Sequence, residues 1–173
     1  YDNTTGAQNT SVGSLALTDN TTADNNTAVG YRGLNQNTTG ANNTAIGSDA
    51  LLSNTTGTQN NAVGSAAGDA ITTGSYNNVL GYGAGGAVTT ANGNTAMGHT
   101  ALNNTTTGVN SSFGYEAGYY ITTGTSNTAL GYQALKGTTD TTADNNTAVG
   151  HQALKANTTG TENVAVGKGA LDA

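Results

Sequence analysis

Asn26-Thr27-Ala28-Val29-Gly30 decides the fold, because close copies of it begin at Asn9, Asn26, Asn43, Asn60, Asn77, Asn94, Asn110, Asn127, Asn146 and Asn163. Successive starts lie 17, 17, 17, 17, 17, 16, 17, 19 and 17 residues apart. A period of 17 allows one coil per repeat and is too short for the paired helices of α-solenoids. The Asn, Thr and Gly between the copies are also poor helix formers. These features predict an all-β chain, a parallel β-solenoid or β-roll of about ten 17-residue coils, forming a single array over residues 1–173 with a partial coil at 1–8.

Comparing the units with one another assigns a role to each position. The first position is always Asn, as at Asn26, Asn43, Asn77 and Asn127, and the fifth is always Gly, as at Gly30, Gly47, Gly81 and Gly131. A glycine fixed in every coil implies a positive-φ bend or a close backbone approach that a Cβ would hinder. The residue before that Gly is Val, Ile, Leu, Met or Phe, and we expect this column to be core. The residue before that is small, Ala in seven units, so something packs close on the opposite face of the strand.

A second apolar column falls four residues beyond the Gly, at Leu17, Leu34, Leu51, Leu102, Leu135, Leu154 and Leu171. Three units carry Gly68, Gly85 and Gly118 there instead, and those three place Ile71, Val88 and Ile121 three residues later. This is the pattern expected if one fixed interior volume is filled from two backbone routes. A Thr pair recurs in every spacer, and Asn-Thr-Thr-Gly reads as turn chemistry feeding extended backbone. Stacked at about 4.8 Å per coil, such columns would form ladders about 45–50 Å long. The string from Thr21 to Gly30 recurs unchanged from Thr141 to Gly150, as after a recent duplication.

Composition bounds the partners. The 173 residues are 34% apolar and 8% charged, with 26 Gly, no Pro, no Cys, no Trp and a net charge of −6. Arg32, Lys136, Lys155 and Lys168 are the only fixed positive charges, which argues against nucleic acid. No apolar run approaches the length of a membrane span, so insertion into a membrane is not expected. About two large apolar side chains per coil is little for a coil closed on itself. A thin, flattened solenoid or a core shared between chains follows, and a homotrimer is the preferred form. The tail-like 1–8 and the head-like 163–173 would join into one unit, which adds head-to-tail assembly as an expectation.

The Asn-Thr-Ala-Val-Gly phrase, with Tyr132-Gln133-Ala134-Leu135 after one copy, resembles the head repeats of trimeric autotransporter adhesins and related repeats of bacterial and phage tail-fibre-like proteins. The resemblance spans essentially the whole chain. It implies a left-handed parallel β-roll whose three chains share a threefold core, at the cell surface or in a virion fibre. Those head repeats are usually nearer fourteen residues than 17, and this chain carries no stalk or anchor motif of the family.

Candidate functional residues are few. The column directly after the Gly holds Tyr31, Tyr82, His99, Tyr115, Tyr132 and His151, a stripe that would suit stacking on sugar rings of a glycan or host surface. His99 and His151 lie three coils, about 14 Å, apart, too far to share a metal. The carboxylates match no calcium motif, and no Ser-His-Asp set, nucleophile elbow or phosphate loop can be assembled, so neither cofactor nor catalysis is expected. Asn-x-Ser/Thr sequons offer Asn3, Asn20, Asn37, Asn54, Asn104 and Asn157 as N-glycan acceptors. The leading expectation is a structural segment of an extracellular fibre or adhesin, followed by a glycan-binding module. Ice or crystal binding by the aligned Thr ranks third, because adjacent Thr residues point to opposite faces of a strand.

Overall fold

The computed structural model describes residues 3–172, so part of the expected partial coil at the start, and Ala173, lie outside the described residues. It is an all-β parallel solenoid of about nine turns. The strands are β1 (Thr10–Val12), β2 (Thr27–Val29), β3 (Thr44–Ile46), β4 (Asn61–Val63) and β5 (Asn78–Leu80), then β6 (Thr95–Met97), β7 (Asn110–Phe113), β8 (Asn127–Leu130), β9 (Thr147–Val149) and β10 (Val164–Val166). All ten form one sheet in chain order, each parallel to the next. Register follows the repeat: Thr10 faces Thr27, Ala45 faces Ala62, and the 16- and 19-residue spacings are absorbed so that Thr95 still faces Ser111 and Thr128 faces Thr147.

The Asn column holds the coils in register. Asn43 N–H donates to Asn26 Oδ1 at 2.9 Å, while Asn43 Nδ2 donates to the Gly57 carbonyl at 2.8 Å. Asn77 Nδ2 donates to the Ala91 carbonyl at 2.9 Å and Asn127 Nδ2 to the Ala143 carbonyl at 2.7 Å. One buried amide thus satisfies a backbone donor in the coil that follows and an acceptor on the far wall, and Asn26, Asn43, Asn77 and Asn127 are almost wholly buried. A shorter or apolar side chain would orphan both backbone groups.

The strand-ending glycines adopt φ of 130° at Gly30, 139° at Gly47, 133° at Gly81 and 137° at Gly131. A Cβ built on Gly30 would lie 2.6 Å from the carbonyl oxygen of Gly47 in the next coil. Both requirements, the positive φ and the close approach, exclude other residues.

The core corrects one expectation. The column before the Gly is not interior: Val12 is 57% exposed, Leu80 50% and Leu130 48%, and Ile46, Val63, Met97 and Val166 are likewise exposed. Its small neighbour points inward instead, with Ala28, Ala45, Ala62, Ala96, Ala129 and Ala148 fully buried. These alanines pack against a second inner layer that includes Ala50, Ala67, Ala101 and Ala134, together with the Leu column. The cross-section is narrow enough that alanine faces alanine, and the buried Asn amides supply the remaining volume. The chain therefore fills its own interior, which removes the thin core as a reason to invoke neighbouring chains.

The two-route packing is present as expected. Leu34, Leu51, Leu102 and Leu135 are fully buried, and so are Ile71, Val88 and Ile121 in the coils that lack the leucine. The leucine position is left-handed throughout, with φ of 48° at Leu34, 50° at Leu51, 59° at Gly68 and 63° at Gly118. A Cβ on Gly68 would lie 2.9 Å from Ile71 Cδ1, and one on Gly118 3.1 Å from Ile121 Cδ1. Either the leucine or the later branched residue fits, and not both.

Candidate functional site

The position after each strand-ending Gly projects from the start of a turn, and the parallel register sets it above its counterpart in the next coil. Tyr82, His99, Tyr115, Tyr132 and His151 therefore form one continuous stack. Ring centroids are 5.1, 5.2, 5.2 and 5.0 Å apart in that order, with interplanar angles of 27°, 20°, 8° and 13°. Tyr31 stands apart because Ser48 and Ser65 occupy the intervening coils. Its ring carries the Arg32 guanidinium 4.9 Å above its centroid, and Arg32 Nε donates to Asp49 Oδ1 at 2.8 Å. That hydrogen bond raises the Arg32 pKa further above its ordinary value.

Stacking changes what the stripe can do. Each inner ring has both faces covered by its neighbours, leaving ring edges and phenol hydroxyls to solvent. The column is accessible, but the open ring faces that sugar stacking requires are taken up inside the ladder. Among the described residues no group of three His, Cys, Asp or Glu side chains could hold a metal ion.

A polar ladder runs beside the rings. Gln152 Nε2 donates to Gln133 Oε1 at 3.0 Å, and Gln133 Nε2 donates to Glu116 Oε2 at 2.8 Å. Lys136 Nζ lies 2.7 Å from the same Glu116 oxygen. Burial pushes the Glu116 carboxyl up, but the hydrogen bonds from Lys136 and Gln133 outweigh it and hold the group below the usual carboxylate range. The Lys136 ammonium is raised by the same pair, and the charge of Glu116 raises the Tyr115 phenol.

The sequons divide by burial. Asn20, Asn37 and Asn54 are almost wholly buried, and their amides join the interior: Asn37 Nδ2 donates to Asn20 Oδ1 at 3.1 Å and Asn54 Nδ2 to Asn37 Oδ1 at 2.8 Å. A glycan on any of the three would have to replace an interior hydrogen bond, so they are withdrawn as acceptors in the folded array. Asn3 is exposed and Asn104 and Asn157 are half-buried, with amides donating to the carbonyls of Gly6, Tyr119 and Gly160. The Thr pairs also divide: Thr38 Oγ1 donates to the Thr55 carbonyl at 3.0 Å, and its neighbour Thr39 is exposed. In eight of the ten pairs only the second Thr is exposed, the exceptions being Thr4-Thr5 and Thr106-Thr107, so the pairs build one continuous outward Thr column rather than the two that an ice-binding face requires.

Two features escaped the sequence reading. One is the outward direction of the apolar column, and the other is the cleft created by the 19-residue unit. Its signal was present in Lys136 and Lys155, two of only four cations, which occupy the same column in successive coils. No helix among the described residues is long and apolar enough to cross a membrane. Compared with protein-family models, with curated proteins and with solved structures, the chain matches none, and its likeness to adhesin head repeats rests on the repeat residues themselves.

Proposed function

We propose that this chain is a structural, non-catalytic segment of an extracellular fibre or surface adhesin, on a cell or a virion, whose copies associate along the outward apolar column. The observation that carries the reading is that column, in which Val12, Ile46, Val63, Leu80, Met97, Leu130 and Val166 are exposed and Val29, Phe113 and Val149 are half-buried. Contiguous exposed apolar stripes on soluble proteins mark interaction surfaces. Covering the exposed half of one such side chain is worth about 1 kcal/mol. The seven exposed residues acting together are comparable with the cost of association, about 4–15 kcal/mol. Between Val63, Leu80 and Met97 the column dips into a small recess of about 100 Å³.

A closed homotrimer with the column toward the axis is the arrangement this reading favours, with or without head-to-tail stacking. The test is absolute mass by light scattering together with electron microscopy. A multiple of the 17.0 kDa chain mass or a filament is expected, and Val63→Asp with Leu130→Asp should dissociate it while preserving the β spectrum. A 17.0 kDa monomer at all concentrations would remove the reading. The ring stack favours, as a second reading, a glycan or host surface bound through ring edges and phenol hydroxyls. Loss of binding on a glycan array after Tyr115→Phe with Tyr132→Phe would support that mode over ring stacking.

A further inference from the structure

The unit from Asn127 carries five residues, 136–140, where the 17-residue units have three before the Thr pair. The backbone on either side stays in register, since Tyr120 N–H donates to the Lys136 carbonyl at 2.8 Å and Gly137 N–H to the Lys155 carbonyl at 3.0 Å. The surplus is pushed outward, leaving Thr138, Thr139 and Asp140 exposed. The displaced loop forms one wall of a cleft of about 480 Å³, within the range of small-ligand pockets.

Its lining is unlike the rest of this acidic surface. Lys136 and Lys155, two of the four cations in a chain of net charge −6, face it together with Tyr120, Thr138, Thr139 and Asp172. Tyr120 is held edge-on by Tyr119, with centroids 4.6 Å apart and planes at 80°, and Lys136 Nζ lies 5.9 Å from its ring centroid. Glu116 engages one side of the Lys136 ammonium, leaving further N–H donors, and Lys155 forms no ion pair among the described residues.

This combination selects a ligand class. The two ammonium groups call for a carboxylate, Asp172 accepts from hydroxyls, the two threonines donate and accept, and Tyr120 offers an apolar surface. A neutral sugar leaves the ammonium groups unused, whereas a phosphate has no ring to lie on Tyr120 and too few hydroxyls to engage Asp172 and the two threonines together. We propose that the cleft binds an acidic sugar of the uronic acid class, as a residue of an anionic polysaccharide. The site stands independently of association along the apolar column.

Saturation-transfer NMR with trigalacturonate as the probe tests it on the chain in whatever assembly state it adopts, since the readout is on the ligand. Saturable transfer is expected, weakening as salt rises, with none to glucose. Lys155→Gln should reduce affinity about tenfold or more, the scale of a charge-assisted hydrogen bond. Lys168→Gln, outside the cleft, should leave it unchanged. Removing Thr138 and Thr139, which returns the unit to 17 residues, should abolish binding while the β spectrum persists. Equal transfer to glucose, displacement by equimolar inorganic phosphate, identical behaviour of the two lysine variants, or no saturable transfer would each overturn the proposal.

Discussion

In the coil from Asn43 the interior is closed by Leu51 and Asn54, whereas in the next coil, from Asn60, Gly68 and Ile71 close it. The volumes match and the chemistry does not. On the first route the amides of Asn20, Asn37 and Asn54 link into a ladder, each donating to the Asn of the coil before it. On the second, branched aliphatic side chains occupy the same column and the ladder stops. The cost falls at the boundary, where Asn54 Oδ1 is buried without a partner because Ile71 stands where the next amide would be. Interior volume must be conserved coil by coil, while polar satisfaction is a property of neighbouring coils.

The largest expected effect comes from a position common to both routes. Gly81→Val sets a branched side chain at φ 133°, with its Cβ 2.7 Å from the Gly98 carbonyl carbon of the next coil. We expect a loss of more than about 3 kcal/mol, from the strained φ and the clash together, with hydrogen exchange rising first in the coils from Asn77 and Asn94. Melting together with the parent would show that the Gly column tolerates a Cβ.

Next, Asn60→Leu keeps the bulk and deletes the amide that binds the Gly74 carbonyl at 2.8 Å and accepts from Asn77 N–H at 3.0 Å. Two buried backbone groups are orphaned, so a cost of about 2–4 kcal/mol is expected in chemical denaturation. A loss no greater than that of a surface control would show that bulk alone matters in this column.

The two routes can be exchanged directly. Gly68→Leu should overfill the coil at about 1–3 kcal/mol, and Ile71→Asn alone should leave a void with an amide in it. Together they recreate the Leu51 and Asn54 arrangement and offer Asn54 Oδ1 the donor it lacks. The double variant should recover most of both losses, giving a large favourable coupling in a double-mutant cycle. Simple additivity would mean that the two positions do not share one volume.

The smallest effect concerns pH. The folded-state pKa of Glu116 is lowered, so its contribution is present above the unfolded carboxylate pKa and is lost as pH falls through the lower folded value. Acidification through that window should remove less than about 1 kcal/mol, because the Lys136 pair is partly solvated. Glu116→Gln should abolish that part of the acid sensitivity in melting profiles taken between neutral and acidic pH. An unchanged profile would place the acid-labile interactions elsewhere.

The period, the one-coil-per-repeat architecture, the parallel register and the exchange of Leu for Ile or Val were legible in the residues. Each leaves a signature inside a single chain: a constant spacing, an invariant Asn, an invariant Gly, or a compensating pair. The Asn column was legible as structure but not as an amide network, since that depends on which carbonyl on the far wall each side chain reaches. The cleft at Lys136 and Lys155 was hidden because an insertion length does not say which way the added residues bulge.

The sequence by itself therefore determined how the chain coils and stacks, and the tertiary structure decided which side of the sheet is inside. In a three-residue strand, alternation shows only that Ala28 and Val29 point opposite ways, and hydrophobicity favours the valine for the core. The closed coil reverses that choice because its cavity is too narrow. The one bulky residue of the inner column, Val79, is admitted only where Gly85 leaves room, since a Cβ on Gly85 would lie 2.8 Å from Val79 Cγ1. Interior width is set by the closure of all 17 residues around the coil, a non-local quantity that no local pattern encodes. Within the strands it buries the alanines and leaves the larger apolar side chains on the outside.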